Sequence, residues 1–201
     1  MASRPDRERE RLKAILLDKS VRFGEFTLAS GQKSNVYVDG KLTTCTAEAM
    51  PLVGKLILRK IVEAGWKPEA VGGLTLGADP IAYAAARESL AETGRYIDAF
   101  VVRKEPKKHG MQRFIEGIEE VAALPVVIIE DVCTTGESTA QAIQKALATG
   151  MKVLGAVCLV DRGMGGREKL RAEFACELLS VFTLVELQSA STHAESTASP
   201  R

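Results

Sequence analysis

The run Val126-Val127-Ile128-Ile129-Glu130-Asp131-Val132-Cys133-Thr134-Thr135-Gly136-Glu137-Ser138-Thr139 constrains the fold more than any other stretch. Four consecutive β-branched aliphatics predict a strand covered on both faces, as in a parallel sheet flanked by helices. Two carboxylates end that strand, hydroxyls and a glycine follow, and residues 140–147 continue as a helix. Open α/β sheets bind ligands at the carboxyl ends of their strands, which is where Glu130 and Asp131 fall. Gly136 can take a positive φ, and the unpaired amides of a helix start hold anions. A phosphate in that turn leaves the hydroxyls of an attached sugar near the two acids, which accept hydrogen bonds from a diol or face a hydrated magnesium ion. The plainer reading is a strand, a turn and a capped helix, but a cap does not require two adjacent acids.

The surrounding chain alternates strand and helix. Ala70-Val71-Gly72-Gly73-Leu74 reads as a strand, residues 80–90 as a helix, 97–102 as a strand, 137–148 as a helix, 153–160 as a strand and 166–172 as a helix, with edge strands over 174–185. This order predicts an open, mostly parallel twisted α/β sheet flanked by helices. Ahead of it, Leu12, Ile15 and Leu16 have the spacing of an amphipathic helix over residues 6–19. Residues 23–39 read as short extended pieces broken at Gly24 and Ser30-Gly31, a small N-terminal lid or hood. A further helix spans 46–64, its regular turns starting near Met50 because Pro51 lacks an amide donor. The expected organisation is one domain over residues 1–187, with helix and lid in about 1–45 and core in about 46–187. Residues 188–201 are rich in Ser, Thr and Ala without apolar periodicity and read as a disordered tail.

Lys plus Arg number 27 against 26 Asp plus Glu, a net charge of +1, so no whole-chain field draws nucleic acid or a membrane surface. No stretch approaches the roughly 18 apolar residues of a membrane span, and the first ten residues are too charged for a secretory signal; the expected location is cytoplasmic. The four cysteines form no Cys-x-x-Cys pair and the chain has only 2 histidines, which argues against zinc. Cys158 and Cys176 lie in apolar runs as core residues, whereas Cys133, between the acids and the turn, reads as open to oxidants. Arg103-Lys104-Glu105-Pro106-Lys107-Lys108-His109-Gly110 suits either a polyphosphate clamp or a solvated basic loop, and the acidic run beside it favours the clamp. The glycines from Gly72 to Gly77 either let amides approach a pyrophosphate or simply make a turn.

The run at 126–139 resembles the signature of the type I phosphoribosyltransferases: an aliphatic strand, two acids and a Thr/Gly-rich loop. Three further segments resemble the orotate phosphoribosyltransferases within that family: residues 26–34 (Phe-Thr-Leu-Ala-Ser-Gly-Gln-Lys-Ser) with Tyr37-Val38-Asp39, the basic segment 103–110, and Asp161-Arg162. The resemblance implies transfer of the 5-phosphoribosyl group from phosphoribosyl pyrophosphate (PRPP) to orotate, giving orotidine 5′-phosphate in pyrimidine biosynthesis. Mg²⁺ is the implied cofactor, held by the substrate's pyrophosphate and by Glu130 and Asp131. The implied working unit is a homodimer with an active-site loop shared between subunits.

By the same resemblance Lys107, His109 and Asp131 are the catalytic residues. Contacts to PRPP fall on Arg103, Lys104, Lys107, His109, Glu130, Asp131, Thr134, Thr135, Gly136, Glu137, Ser138 and Thr139. Contacts to orotate fall on Thr134, Arg162, Ser30, Lys33 and Lys41, although Arg162 taken alone also reads as a plain surface arginine. Lys41 stands in for the base-side lysine that part of the family carries at the position of Ala29; the 72–80 turn also lacks a lysine that many of the family carry there. Lys107 is expected to meet leaving-group charge, His109 to hydrogen-bond or assist as an acid, and loop closure to keep water from an oxocarbenium-like transition state. Two other classes share features of the chain. A purine or xanthine phosphoribosyltransferase would have the phosphate run but not the Ser-Gly-Gln-Lys-Ser lid. A non-catalytic nucleotide-sensing regulator that binds RNA is disfavoured by the near-neutral charge and the intact acid pair.

Overall fold

The computed structural model of the chain describes residues 3–27, 33–106 and 113–197. Helix α1, Arg4–Lys19, opens on a capping box in which Ser3 and Asp6 bond each other's backbone amides, and it buries Leu12, Ile15 and Leu16. Strands β1 (Val21–Thr27) and β2 (Lys33–Val38) pair antiparallel as a separate hairpin, the expected hood. After the short α2 (Lys41–Thr44), helix α3 runs Met50–Glu63 with Pro51 in its first turn, where no amide donor is needed. Then come β3 (Ala70–Leu74), α4 (Asp79–Thr93), β4 (Asp98–Val102), β5 (Ile115–Glu116), β6 (Pro125–Cys133) and α5 (Glu137–Ala148). The chain continues through β7 (Lys152–Asp161), α6 (Gly166–Phe174), β8 (Leu178–Thr183) and α7 (Leu184–Thr197).

The main sheet has the order β5-β4-β3-β6-β7-β8, with β5 antiparallel and the other pairings parallel. From β3 the chain winds outward to β4, then returns to the other side of β3 for β6 and winds outward to β7 and β8. The two windings part between β3 and β6, the position at which such sheets open a ligand crevice. Pairing of β3 with β6 ends at Gly72–Ile128, while β6 stays paired to β7 through Cys133–Asp161. The stretch that carries Glu130 and Asp131 is thus held from the β7 side alone.

Side-chain alternation along β6 builds two cores. Val127 and Ile129 pack with Leu16, Ile57 and Ile81 from α1, α3 and α4 on one face. Val126 and Ile128 pack with Ala142, Ile143 and Leu170 from α5 and α6 on the other. Burying each such aliphatic contributes about 1.5–3 kcal/mol, so a slip of β6 by one residue would exchange both cores and move both acids.

Two expectations need correction. The edge strands expected over 174–185 are one strand, β8, because α6 extends to Phe174 and α7 begins at Leu184. The tail expected to be disordered from residue 188 is helical to Thr197. Leu187 is fully buried and anchors the first turn of that helix on the core, and the Gln, Ala and Glu residues after it favour its continuation. No helix among the described residues is long and apolar enough to cross a membrane.

Candidate active site

Beyond Cys133 the chain turns through Gly136, whose φ of +79° is a left-handed conformation that glycine takes without penalty. A Cβ there would also meet the Gly166 backbone at 3.1 Å. This turn and the start of α5 enclose a cavity of about 80 Å³ lined by Glu130 and residues 132–139. That is ample for several waters and so for a small anion such as a phosphate group. The first-turn amides and positive dipole end of α5 favour an anion there. Thr134, Thr135, Gly136, Glu137, Ser138 and Thr139 therefore line one concavity, and the Glu137 carboxylate meets Lys169 Nζ at 3.3 Å.

A second cavity, about 290 Å³, lies between the ends of β3 and β6. It is lined by Lys41, Leu74, Thr75, Leu76, Gly77, Lys104, Glu130, Asp131 and Ser138. Glu130 and Ser138 line both cavities, so the two adjoin at the end of β6 and the start of α5. The β3–α4 turn is held by a 2.6 Å bond from Thr75 Oγ1 to Asp79 Oδ2, and the Thr75–Leu76 peptide is cis. Gly77 is required by close approach: a Cβ there would stand 2.5 Å from Asp131 Oδ1. Lys41 Nζ lies 2.9 Å from Asp39 Oδ1 and 3.9 Å from Asp131 Oδ2. Its hydrogen bond to Asp39, with the Asp131 charge added, holds the ammonium above its ordinary pKa.

Glu130 is 6% exposed and accepts a 3.1 Å hydrogen bond from Thr139 Oγ1. Burial, and next the negative charge of Asp131, push its carboxyl up to about 8. Such a pair favours anything that brings positive charge or hydroxyl donors into the crevice. No group of three or more His, Cys, Asp or Glu side chains among the described residues could hold a metal ion. The two acids therefore fit Mg²⁺ only as an ion whose remaining ligands come from substrate and water. Cys133 is not open to oxidants as expected: it is 2% exposed, and burial together with Asp161 and Glu130 pushes its thiol up to about 12.

The other expected residues are distributed differently. Arg103 does not line the crevice; its Nη1 is 3.5 Å from Glu116 and its amide donates to the Phe114 carbonyl. Arg162 bridges hood and core, its Nη2 donating to Ser34 Oγ at 3.1 Å and to the Val36 carbonyl at 3.3 Å, while its buried Nε has no hydrogen-bond partner among the described residues. Lys33 lines a separate concavity on the hairpin with Glu25, Phe26, Ser34 and Asn35. Ser30, Lys107 and His109 lie outside the described residues. Sequence reasoning gave no contact to Ser34, although it closes the Ser-Gly-Gln-Lys-Ser segment, and none to Lys145. A serine in a hairpin and a lysine on an outer helix turn carry no signal without their spatial neighbours.

A family model, phosphoribosyl transferase domain, matches residues 46–186. The orotate phosphoribosyltransferase of Aquifex aeolicus is 44% identical over 183 residues, 90% of this chain and 97% of that one. A crystal structure of the Mycobacterium tuberculosis orotate phosphoribosyltransferase in complex with Fe(III) dicitrate superposes with a TM-score of 0.76 at 41% identity, covering 90% and 98% of the two chains. A second crystal structure of that enzyme, in complex with PRPP, gives 0.74 at 36% identity over 90% and 99%. With the two-cavity crevice at the β3–β6 switch, these likenesses show that the chain belongs to the orotate phosphoribosyltransferases of the phosphoribosyl transferase domain family.

Proposed function

We propose that the crevice binds PRPP with its 5-phosphate on the α5 turn, its ribose diol at Glu130 and Asp131, and its pyrophosphate between the β3–α4 turn and Lys104. The protein transfers the phosphoribosyl group to orotate, yielding orotidine 5′-phosphate and pyrophosphate. The observation that carries this reading is the junction of a phosphate-sized cavity with a carboxylate-lined one through Glu130 and Ser138. The relatives' shared activity and the PRPP complex of the M. tuberculosis enzyme support it.

In the reaction a ring nitrogen of orotate bonds to the anomeric carbon while the carbon–oxygen bond to pyrophosphate breaks, its electron pair leaving with the oxygen, and the proton of that ring nitrogen is released to the departing pyrophosphate or to water. Positive charge then develops on the sugar beside Asp131 and Glu130, and negative charge on the departing oxygens beside Lys104. Glu130 and Asp131 would hold magnesium together with substrate oxygens, and the ion would supply neutralisation of pyrophosphate charge. Lys41, fixed by Asp39, supplies a cation next to the acid pair where the 72–80 turn has no lysine. Arg162 has a buried N–H with no partner among the described residues at the seam of hood and core, which suits the carboxylate of a planar anion, with Thr134, Ser30 and Lys33 as further contacts to orotate. Lys107 and His109 are assigned to leaving-group charge and proton assistance, and Arg103 reaches pyrophosphate only by leaving the Glu116 carboxylate that it meets in this structure.

The working unit in this reading is a homodimer in which the segment with Lys107 and His109 serves the partner's crevice. Exposed Leu42, Leu76 and Tyr83, from α2, the β3–α4 turn and α4, supply apolar surface for it. A reducing, cytoplasmic setting suits the free thiols of Cys45, Cys133, Cys158 and Cys176. The test is to supply Mg²⁺ and PRPP with orotate, adenine, hypoxanthine or xanthine in parallel. Loss of absorbance with orotate alone is expected; turnover of a purine instead would overturn the base assignment.

A further inference from the structure

Lys145 sits on the outer half of α5, away from both cavities, yet its ammonium makes an unusual set of contacts. It donates to the backbone carbonyls of Arg103 at 2.9 Å and Lys104 at 2.7 Å. It also lies 4.7 Å from the centroid of the Phe114 ring. No carboxylate pairs with it among the described residues. A lysine has three donors and ordinarily spends them on water or an acid; here two go to consecutive carbonyls of one strand exit.

Both carbonyls lie where the strand leaves the sheet, that of Arg103 part-buried and that of Lys104 exposed. Strand β4 ends at Val102, and its short neighbour β5 pairs only Val101 and Val102 with Glu116 and Ile115. Past that point Arg103 N donates to the Phe114 carbonyl, which joins the outgoing and returning chains, but the carbonyls of 103 and 104 have left the ladder. Lys145 takes both and covers Phe114 on the returning side, so one ammonium fastens both feet of the segment between 104 and 114. Fixing two successive peptide planes fixes the direction of the side chain between them. That side chain is Lys104, which lines the crevice with Leu76, Gly77, Glu130 and Asp131.

We propose that Lys145 is a positioning residue: by clamping the β4 exit it aims Lys104 at the pyrophosphate end of the crevice without touching substrate. The inference rests on the assignment of that crevice to PRPP. It predicts a selective effect, because the base side of the site is built from the hood and Arg162, on other elements.

The experiment compares wild-type, Lys145→Met and Lys145→Arg full-length proteins by steady-state kinetics, thermal unfolding, and calorimetric titration with pyrophosphate and Mg²⁺. Lys145→Met keeps the aliphatic stem and removes the donors. It is expected to raise KM for PRPP and the Kd for pyrophosphate about tenfold, while KM for orotate and Tm stay near wild type. Lys145→Arg, which can fork two donors to the same carbonyls, is expected to recover most of the loss. An unchanged PRPP KM and pyrophosphate Kd in Lys145→Met would overturn the proposal. So would a fall in Tm with both KM values rising together, which would mark a merely structural contact. Wild-type protein inert towards orotate would count against the reaction, and the pyrophosphate titration would then still decide the clamp.

Discussion

Glu130 shows at the residue scale what a site costs the fold. The free carboxyl of an unfolded chain titrates at 4.5, and burial beside Asp131 pushes the native one up to about 8. Between those values the native state holds a proton that the unfolded chain has released, so stability falls as pH rises through that window. Glu130→Gln removes this dependence. It is expected to raise Tm by a few degrees near pH 8 relative to wild type and to make little difference below about pH 4.5, while lowering turnover; differential scanning calorimetry across pH checks it. A wild-type Tm that rose steadily from pH 5 to pH 8 relative to the variant would contradict it. The two acids were legible in the sequence as adjacent carboxylates ending an aliphatic run. Their unequal surroundings were not, because these depend on Thr139 from α5 and on Gly40 and Gly77, which let backbone approach Asp131.

At the scale of elements, β6 and α5 were readable because local pattern and tertiary role agree: four aliphatics need two covered faces, and the glycine before Glu137 needs a left-handed turn. Helix α7 was not readable, since its anchor is spread over distant sequence. Arg9 on α1 forms a two-pronged ion pair with Glu186 at 2.6 and 2.7 Å, donates to the Val181 carbonyl at 3.0 Å and lies 4.6 Å from the Phe182 ring centroid. Ser, Thr and Ala after Leu187 look like a tail until that clamp is seen. Arg9→Ala is expected to cost about 2 kcal/mol in urea unfolding, by loss of charged hydrogen bonds in a half-buried setting. It should leave KM for both substrates unchanged, since the clamp lies outside the crevice-lining residues; a stability loss below a few tenths of a kcal/mol would show that α1 and α7 dock without it.

For the whole molecule, the winding order places two loops of different origin, the β6–α5 turn and the β3–α4 turn, on either side of the acid pair. If Lys107 serves the partner's crevice, Lys107→Ala and Asp131→Asn proteins, each nearly inactive, should regain about a quarter of wild-type activity when dissociated and reassociated together. Mixed dimers that stay inactive would place each Lys107 in its own subunit's site. The alternation of strands and helices foretold the sheet; the crevice needed the strand order, which no local pattern states. The most direct test of the account is a crystal structure of the protein with PRPP and Mg²⁺. The account predicts the 5-phosphate within hydrogen-bonding distance of the amides at the start of α5, the ribose hydroxyls at Glu130 and Asp131, and the pyrophosphate beside Gly77 and Lys104. A 5-phosphate bound anywhere else, with the turn at Gly136 left to solvent, would contradict it.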